Sequence, residues 1–273
     1  MHWTEAAVRA RTDLKAGYFT LDLEEPRMAA EMLAGQFVML HREKGDFPFL
    51  PRPFSACDVL FEKGEPVGFR LLVQVMGQGT EFLSRMEPGD TIAVWGPLGR
   101  PFGFEGDFEH AILVAGGVGL APFPILARHL REKNPGVRKI ELLYGARSDD
   151  DLVYLDELEA LGIDLAFATD DGSRGHRGNV LSLLRERLAG TPPEAARIFG
   201  CGPEPMLEAL AEWAVEEGRP CEVSMERMMG CGVGACLACV LPVKADYPDG
   251  YLYEKTCVEG PVVDVHRLYL PAM

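Results

Sequence analysis

The stretch that most limits what this chain can fold into lies near its C-terminal end: Ser224-Met-Glu-Arg-Met-Met-Gly-Cys231-Gly-Val-Gly-Ala-Cys236-Leu-Ala-Cys239, with Cys257 following. The spacing C-x4-C-x2-C with a distant fourth cysteine is the plant-type arrangement in which four thiolates hold a [2Fe–2S] cluster. Electron-rich sulfurs need backbone N–H groups turned towards them, and Gly230, Gly232 and Gly234 offer the positive-φ positions such a tight loop requires. Two plainer readings stand beside this one. A structural zinc site usually pairs C-x2-C knuckles, and only one knuckle occurs here; buried, unliganded cysteines are the other.

The rest of the composition sets bounds. A chain of 273 residues has a prior of two domains, with room for a small third. Hydrophobic residues make up 47 % of it and mean hydropathy is near zero, so it can bury real cores. A net charge of −15 argues against nucleic acid as a partner, because phosphate binding needs clustered Lys and Arg. The opening Met1-His-Trp-Thr-Glu-Ala-Ala lacks a basic region followed by an apolar run, so no signal peptide is expected. No apolar run approaches the length of a membrane span, so no membrane partner is expected either. Seven cysteines, four of them in the motif, fit a reducing cytoplasm better than a disulfide framework.

Over residues 1–100 short apolar and β-branched runs recur at Ala7–Ala10, Tyr18–Leu23, Gln36–His41, Pro53–Leu60, Gly68–Val75 and Asp90–Trp95. Turns such as Glu24-Glu-Pro26 and Pro88-Gly-Asp90 separate them, and a single helix is expected near Thr80–Met86. This spacing predicts an antiparallel β-barrel. Arg52-Pro53-Phe54-Ser55 puts a cation, a ring and a hydroxyl on one strand, suited to a phosphate and a flat cofactor, or to an ordinary surface pair over core. Gly77-Gln-Gly79-Thr80 opens the short helix with free N–H groups of the kind that bind phosphate, although a hairpin would use the same glycines.

From Ala111 the period changes. An apolar strand at Ile112–Ala115 runs into Gly116-Gly117-Val118-Gly119, and strands at Lys139–Tyr144, Asp164–Thr169 and Arg197–Phe199 alternate with helical stretches at Leu120–Leu130, Leu152–Leu161, Asn179–Leu188 and Glu204–Glu217. Alternation of this kind means an α/β domain around a parallel sheet over residues 101–219. Ligands of such sheets lie beyond the carboxyl ends of the strands. Here those ends are Gly116–Gly119, Tyr144–Arg147, Thr169–Gly172 and Gly200–Pro203, each bearing glycine. Residues 220–273 then form a small C-terminal cluster domain. The histidines at 41, 110, 129, 176 and 266 are scattered and read as surface or structural, and no acid–base constellation is present.

Taken together, Arg52-Pro-Phe-Ser55, Gly77-x-Gly79-Thr80, Gly96-Pro-Leu-Gly99, Gly116-Gly-Val-Gly-x-Ala-Pro122, Tyr144-Gly-Ala-Arg147 and Cys201-Gly-Pro-x-Pro-Met206 resemble the ferredoxin–NADP reductase superfamily. With the cysteine module added, the whole chain is similar to the electron-transfer subunits of NAD-linked dihydroorotate dehydrogenases. The resemblance implies three cofactors: FAD, a [2Fe–2S] cluster held by Cys231, Cys236, Cys239 and Cys257, and NAD. It places the FAD pyrophosphate on Arg52 and Gly79–Thr80, the flavin ring beside Pro53 and Phe54, and Ser55 within reach of flavin N5. Phe54 departs from the tyrosine that many members carry. The dinucleotide pyrophosphate falls on Gly117 and Gly119, and Cys201 falls beside the nicotinamide. After the third strand NADP-linked members present a hydroxyl and a cation, whereas Asp170-Asp171 here would repel a 2′-phosphate and accept hydrogen bonds from a free 2′-hydroxyl, unless the turn is merely a solvated acidic one. The partner implied is an FMN-containing dihydroorotate dehydrogenase catalytic subunit, in a heterotetramer of two plus two, serving UMP synthesis. The alternatives are a reductase subunit of a related flavin and iron–sulfur complex linked to ferredoxin, sulfur compounds or a hydrogenase, and a zinc-stapled binding module.

Overall fold

The structure, a computed structural model, describes residues 1–42 and 50–273. The first part holds β1 (His2–Asp13), β2 (Tyr18–Glu24), α1 (Pro26–Glu31), β3 (Phe37–His41), β4 (Arg52–Glu62), β5 (Glu65–Gln74), α2 (Gln78–Leu83) and β6 (Thr91–Leu98). Its strands close into an antiparallel barrel in the order β1-β2-β5-β4-β3-β6, as the alternating runs required. Closure removes the open sheet edges. Inward side chains such as Phe19, Leu21, Leu71 and Phe69 are fully buried.

Two differences from expectation have simple causes. The first strand begins at His2 rather than Ala7, because residues 2–7 pair with Thr91–Gly96 of β6. A second helix, α1, stands where Glu24-Glu-Pro26 reads as a turn. Pro26 pre-sets the first helical φ and the Glu25 carboxylate accepts the Met28 N–H at 2.7 Å, so a capped six-residue helix forms with Met28 and Ala29 buried.

The second part alternates β7 (His110–Gly116), α3 (Phe123–Lys133), β8 (Lys139–Ala146), α4 (Leu155–Ala160), β9 (Asp164–Thr169), β10 (His176–Arg177), α5 (Val180–Arg187), β11 (Arg197–Cys201), α6 (Glu204–Glu216) and β12 (Cys221–Ser224). After it come the hairpin β13 (Val240–Lys244) and β14 (Tyr251–Lys255), and last β15 (Val262–Asp264). The sheet order is β10-β9-β8-β7-β11-β12-β15; the strands are parallel except β15, which runs antiparallel to β12. The chain builds outwards from β7 to β9 in one direction and from β11 to β12 in the other, so the order reverses between β7 and β11. A crevice opens at such a reversal, beyond the strand ends.

The segment carrying the cysteines is therefore not free-standing. It leaves the nucleotide sheet after β12, makes the cluster loop and the hairpin, and returns as β15, with the Met225 N–H donating to the Pro261 carbonyl at 2.9 Å. It also shares a small core with the barrel, where Phe37, Met39, Trp95 and Leu98 pack against Met229, Cys239 and Cys257. Among the described residues no helix is long and apolar enough to cross a membrane.

Candidate functional site

The cysteine loop turns its amides inward. The N–H groups of Val233, Ala235 and Cys236 donate to Cys231 Sγ at 3.3 to 3.4 Å, and that of Gly234 donates to Cys257 Sγ at 3.1 Å. Gly232 and Gly234 take φ of +71° and +78°, which makes this turn possible. Gly230 does not take a positive φ; its value is room, since a Cβ there would stand 3.3 Å from Cys236 Sγ. Burial raises the pKa of Cys231, but the three donated N–H bonds and the Cys236 thiol outweigh it and bring it down to about 7. Burial pushes Cys257 up to about 12, with the Cys239 thiol beside it.

Those neighbours show the pattern of the donor set. Electrostatically Cys231 feels the Cys236 thiol and Cys257 feels the Cys239 thiol, which groups the four as two pairs. Two irons with two thiolates each ask for such pairs. Among the described residues no three or more His, Cys, Asp or Glu are gathered in a metal-binding arrangement. Cys239 and Cys257 are buried against the barrel, while Cys236 is exposed, so one side of the site faces the barrel and the other faces solvent.

On the barrel, the register of β3 with β4 pairs Arg52 with Leu40, Pro53 with Met39, Phe54 with Val38 and Ser55 with Phe37. Arg52 is exposed, and its Nη1 donates to the Leu50 and Pro51 carbonyls, which fixes the guanidinium at the mouth of a cleft. That open cleft, about 560 Å³, is lined by Arg52 and Pro53, by Glu204 at the start of α6, and by residues 226–229 of the cluster approach. The Arg227–Glu204 ion pair spans it from one wall to the other. Thr80 Oγ1 accepts from the Met76 and Gly77 N–H groups at 2.9 and 3.1 Å, which shapes the turn that opens α2.

In the nucleotide domain Gly119 is pressed against the end of β11, where a Cβ would run into the Cys201 carbonyl. Gly117, at φ +53°, turns the chain away from the strand. Gly117, Gly119 and Cys201 are thus gathered at the sheet reversal. Cys201 is partly buried; burial pushes its thiol up to about 12 although the Ser224 side chain is within hydrogen-bonding contact, so it stays protonated at neutral pH. Asp170 lies farther out and exposed, its N–H donating to the Ala146 carbonyl at 3.2 Å. Asp171 is spoken for, since its carboxylate accepts both the N–H and the hydroxyl of Ser173, and these bonds hold its pKa below the usual range. The structure brings together the barrel strand, the sheet reversal and the cysteine loop, and sets Asp170 apart at the far end.

The roles of Trp95, Ser224 and Arg227 emerge only in the folded structure. Trp95 Nε1 donates to the Cys231 carbonyl at 3.2 Å and stacks on Trp3 with ring centroids 4.5 Å apart, but in the sequence it reads only as one more barrel residue. Arg227 and Ser224 sit inside the quoted cysteine stretch, yet their partners come from other elements and no local signal announces them.

Known proteins agree with this arrangement. A family model for the iron–sulfur cluster binding domain of dihydroorotate dehydrogenase B matches residues 226–269, an oxidoreductase NAD-binding domain matches 113–212, and an oxidoreductase FAD-binding domain matches 9–102. The chain is therefore an oxidoreductase subunit with FAD, NAD and iron–sulfur domains, and the zinc reading falls. The dihydroorotate dehydrogenase B (NAD(+)) electron transfer subunit of Caldanaerobacter subterraneus subsp. tengcongensis is 37 % identical over 229 residues, 84 % of this chain and 83 % of that one. Its counterpart in Clostridium perfringens is 34 % identical over 262 residues, 96 % of each chain. Among solved structures, an NADH-dependent reduced ferredoxin-NADP oxidoreductase that performs flavin-based electron bifurcation superposes with a TM-score of 0.82 at 29 % identity, covering 98 % of this chain and 90 % of that one. With two domains for flavin and dinucleotide joined to a four-cysteine loop, and with relatives of this closeness over nearly its full length, the chain belongs to the family of dihydroorotate dehydrogenase B (NAD(+)) electron transfer subunits.

Proposed function

We propose that this chain is the electron-transfer half of an NAD-linked dihydroorotate dehydrogenase. It carries electrons from the FMN of a catalytic partner subunit, by way of its [2Fe–2S] cluster and FAD, to NAD+. The observation that carries the reading is the single cleft in which the flavin-motif strand, the start of α6 and the approach to the cysteine loop meet.

Each residue has a part in this scheme. Cys231, Cys236, Cys239 and Cys257 hold the two irons, with the loop amides stabilising their negative sulfurs. Arg52 and the Gly79–Thr80 turn hold the FAD pyrophosphate, Pro53 and Phe54 border the ring, and Ser55 is near its N5. Gly117 and Gly119 let the backbone approach the dinucleotide pyrophosphate. Asp170 accepts from the ribose 2′-hydroxyl, and the neutral thiol of Cys201 packs beside the nicotinamide without adding charge. When bound, these groups supply hydride and one-electron chemistry; the protein supplies position and electrostatics. No side chain of this chain is assigned to deprotonate dihydroorotate, so that oxidation belongs to the partner. In functional terms residues 1–100 serve FAD, 101–219 serve NAD and 220–273 serve the cluster, the last tied back onto the sheet by β12 and β15. The complex is a cytoplasmic heterotetramer of two plus two chains.

The test is reconstitution. The chain alone is expected to oxidise NADH with artificial acceptors and to leave dihydroorotate untouched, and addition of the catalytic subunit is expected to create dihydroorotate-dependent reduction of NAD+. Turnover of dihydroorotate by the isolated chain would defeat this division of labour. A second reading, the reductase subunit of a related flavin and iron–sulfur complex, is favoured by the likeness to the ferredoxin-NADP oxidoreductase. Failure of the reconstitution together with reduction of a ferredoxin by NADH would select it.

A further inference from the structure

We propose that Tyr18, a barrel residue, is a dinucleotide-binding residue whose hydroxyl donates a hydrogen bond to the diphosphate seated on the Gly117–Gly119 turn of the neighbouring domain. The inference rests on the reading that this turn holds the diphosphate and adds a ligand-binding group from the other domain. Tyr18 opens β2 and is only 4 % exposed, its ring packed in the core that the two domains share. Its hydroxyl has no hydrogen-bond partner among the described residues, and it is not one of the fully enclosed unpartnered polar atoms, so the oxygen reaches open space at the edge of that core.

The direction of that oxygen is specific. It stands 3.5 Å from the position a Cβ on Gly117 would take, at the carboxyl end of β7 where the chain leaves the sheet at positive φ. Asp151 and Arg147, the charged groups that reach it electrostatically, are paired with each other at 2.9 Å, which leaves the hydroxyl free. The aim is held from behind as well. Lys15 Nζ donates to the Asp149 carbonyl at 2.7 Å, and the Leu14 N–H donates to the Tyr18 carbonyl at 2.8 Å, so the β1–β2 turn is fastened to the rim of the nucleotide domain. Burial above all raises the pKa of Tyr18, so the group keeps its proton and can only donate to an anionic oxygen at neutral pH. A donor in this place, facing a turn whose own amides are also donors, suits a diphosphate and not a cation.

Tyr18→Phe removes one oxygen that the folded protein itself does not use. The experiment titrates NAD+ and ADP-ribose calorimetrically into the full chain carrying its oxidised flavin and cluster, wild type and Tyr18→Phe side by side. The expected result is a loss of affinity of about tenfold for both ligands, the size expected on losing one hydrogen bond to a charged acceptor. Flavin content, cluster absorbance and melting temperature are expected to be unchanged. Equal ADP-ribose affinity in the two proteins overturns the proposal and leaves the Gly117–Gly119 reading standing. Weakening of NAD+ alone also overturns it, because the bond would then serve the nicotinamide half. A loss of bound flavin or a lowered melting temperature overturns it in favour of a flavin or packing role. Failure of the wild-type protein to bind ADP-ribose at all defeats the underlying reading of the turn.

Discussion

Cys236 is the exposed member of the thiol quartet, and Cys231, its neighbour, collects three backbone N–H bonds. Cys236→Ser is expected to abolish the iron–sulfur absorbance and its EPR signal while FAD stays bound, because Arg52 and the Thr80 turn lie on the barrel and do not lean on this side chain. Cys57 and Cys221 are buried elsewhere, and Cys221→Ala is expected to leave the cluster signal intact. At the end proposed for the adenosine the two aspartates divide. Asp171 is engaged by Ser173, so Asp170 is the carboxylate left to meet a ribose hydroxyl or repel a 2′-phosphate. Steady-state kinetics should show NADH well ahead of NADPH, and Asp170→Arg should narrow the ratio of kcat/KM values by about tenfold, the size of one charge-assisted bond gained and one repulsion removed. These residues were legible because their chemistry is written locally, as a spacing or a short turn. Tyr18 and Trp95 were not, since each reads as an apolar barrel position until the fold shows what its one polar atom faces.

Among the elements, those with a strong period were plain in the sequence, and those made by their neighbours were not. The barrel strands and the βα repeats followed from alternation and apolar runs. Strands β10, β12 and β15 are two to four residues long and exist because an adjacent edge accepts them, so no window of sequence can carry their signal. Strand β8 offers a test of its own. Glu141 is almost fully buried, and His110 beside it, with Lys139 and Arg187, holds its carboxyl down to about 2. His110 Nε2 stands 3.5 Å away, a long electrostatic contact, while Lys139 Nζ makes the true hydrogen bond at 3.0 Å. A carboxyl depressed in the folded state stabilises it above the unfolded-state value near 4.5 and loses that contribution as pH falls through the folded value. Glu141→Gln should therefore melt at a lower temperature than wild type at pH 7. Thermal melts at stepwise lower pH should show the two curves converging between about pH 4.5 and pH 2.

For the whole molecule, the decisive fact is how little separates the three parts. The cluster loop touches the barrel through Met39, Trp95 and Met229, and the outer side of the same loop carries Met228 at 81 % exposure, Leu237 at 62 % and Val233 at 44 %. Met225 and Met229, equally apolar in the sequence, are buried beneath. Adaptable apolar side chains around an exposed redox centre suit a docking surface. With the catalytic subunit present, Met228→Glu is expected to lower dihydroorotate-dependent NAD+ reduction by about tenfold, while NADH–dye activity of the chain alone changes less than twofold, since one buried anchor at an interface is worth roughly 1 to 2 kcal/mol. Met229→Glu would be a poor substitute, because its charge would enter the shared core.

The return of the chain as β15 has a consequence for construction. Glu222 faces Asp264, Val223 faces Val263 and Ser224 faces Val262, so everything from Met225 to Pro261 departs from and comes back to adjoining positions on one sheet edge. Topologically the redox loop and its hairpin are an insertion, and their length is decoupled from the geometry of the sheet that anchors them. The hairpin tip between β13 and β14, at residues 245–250, is the place where such a cassette can be lengthened or tagged with the two anchoring strands left in register.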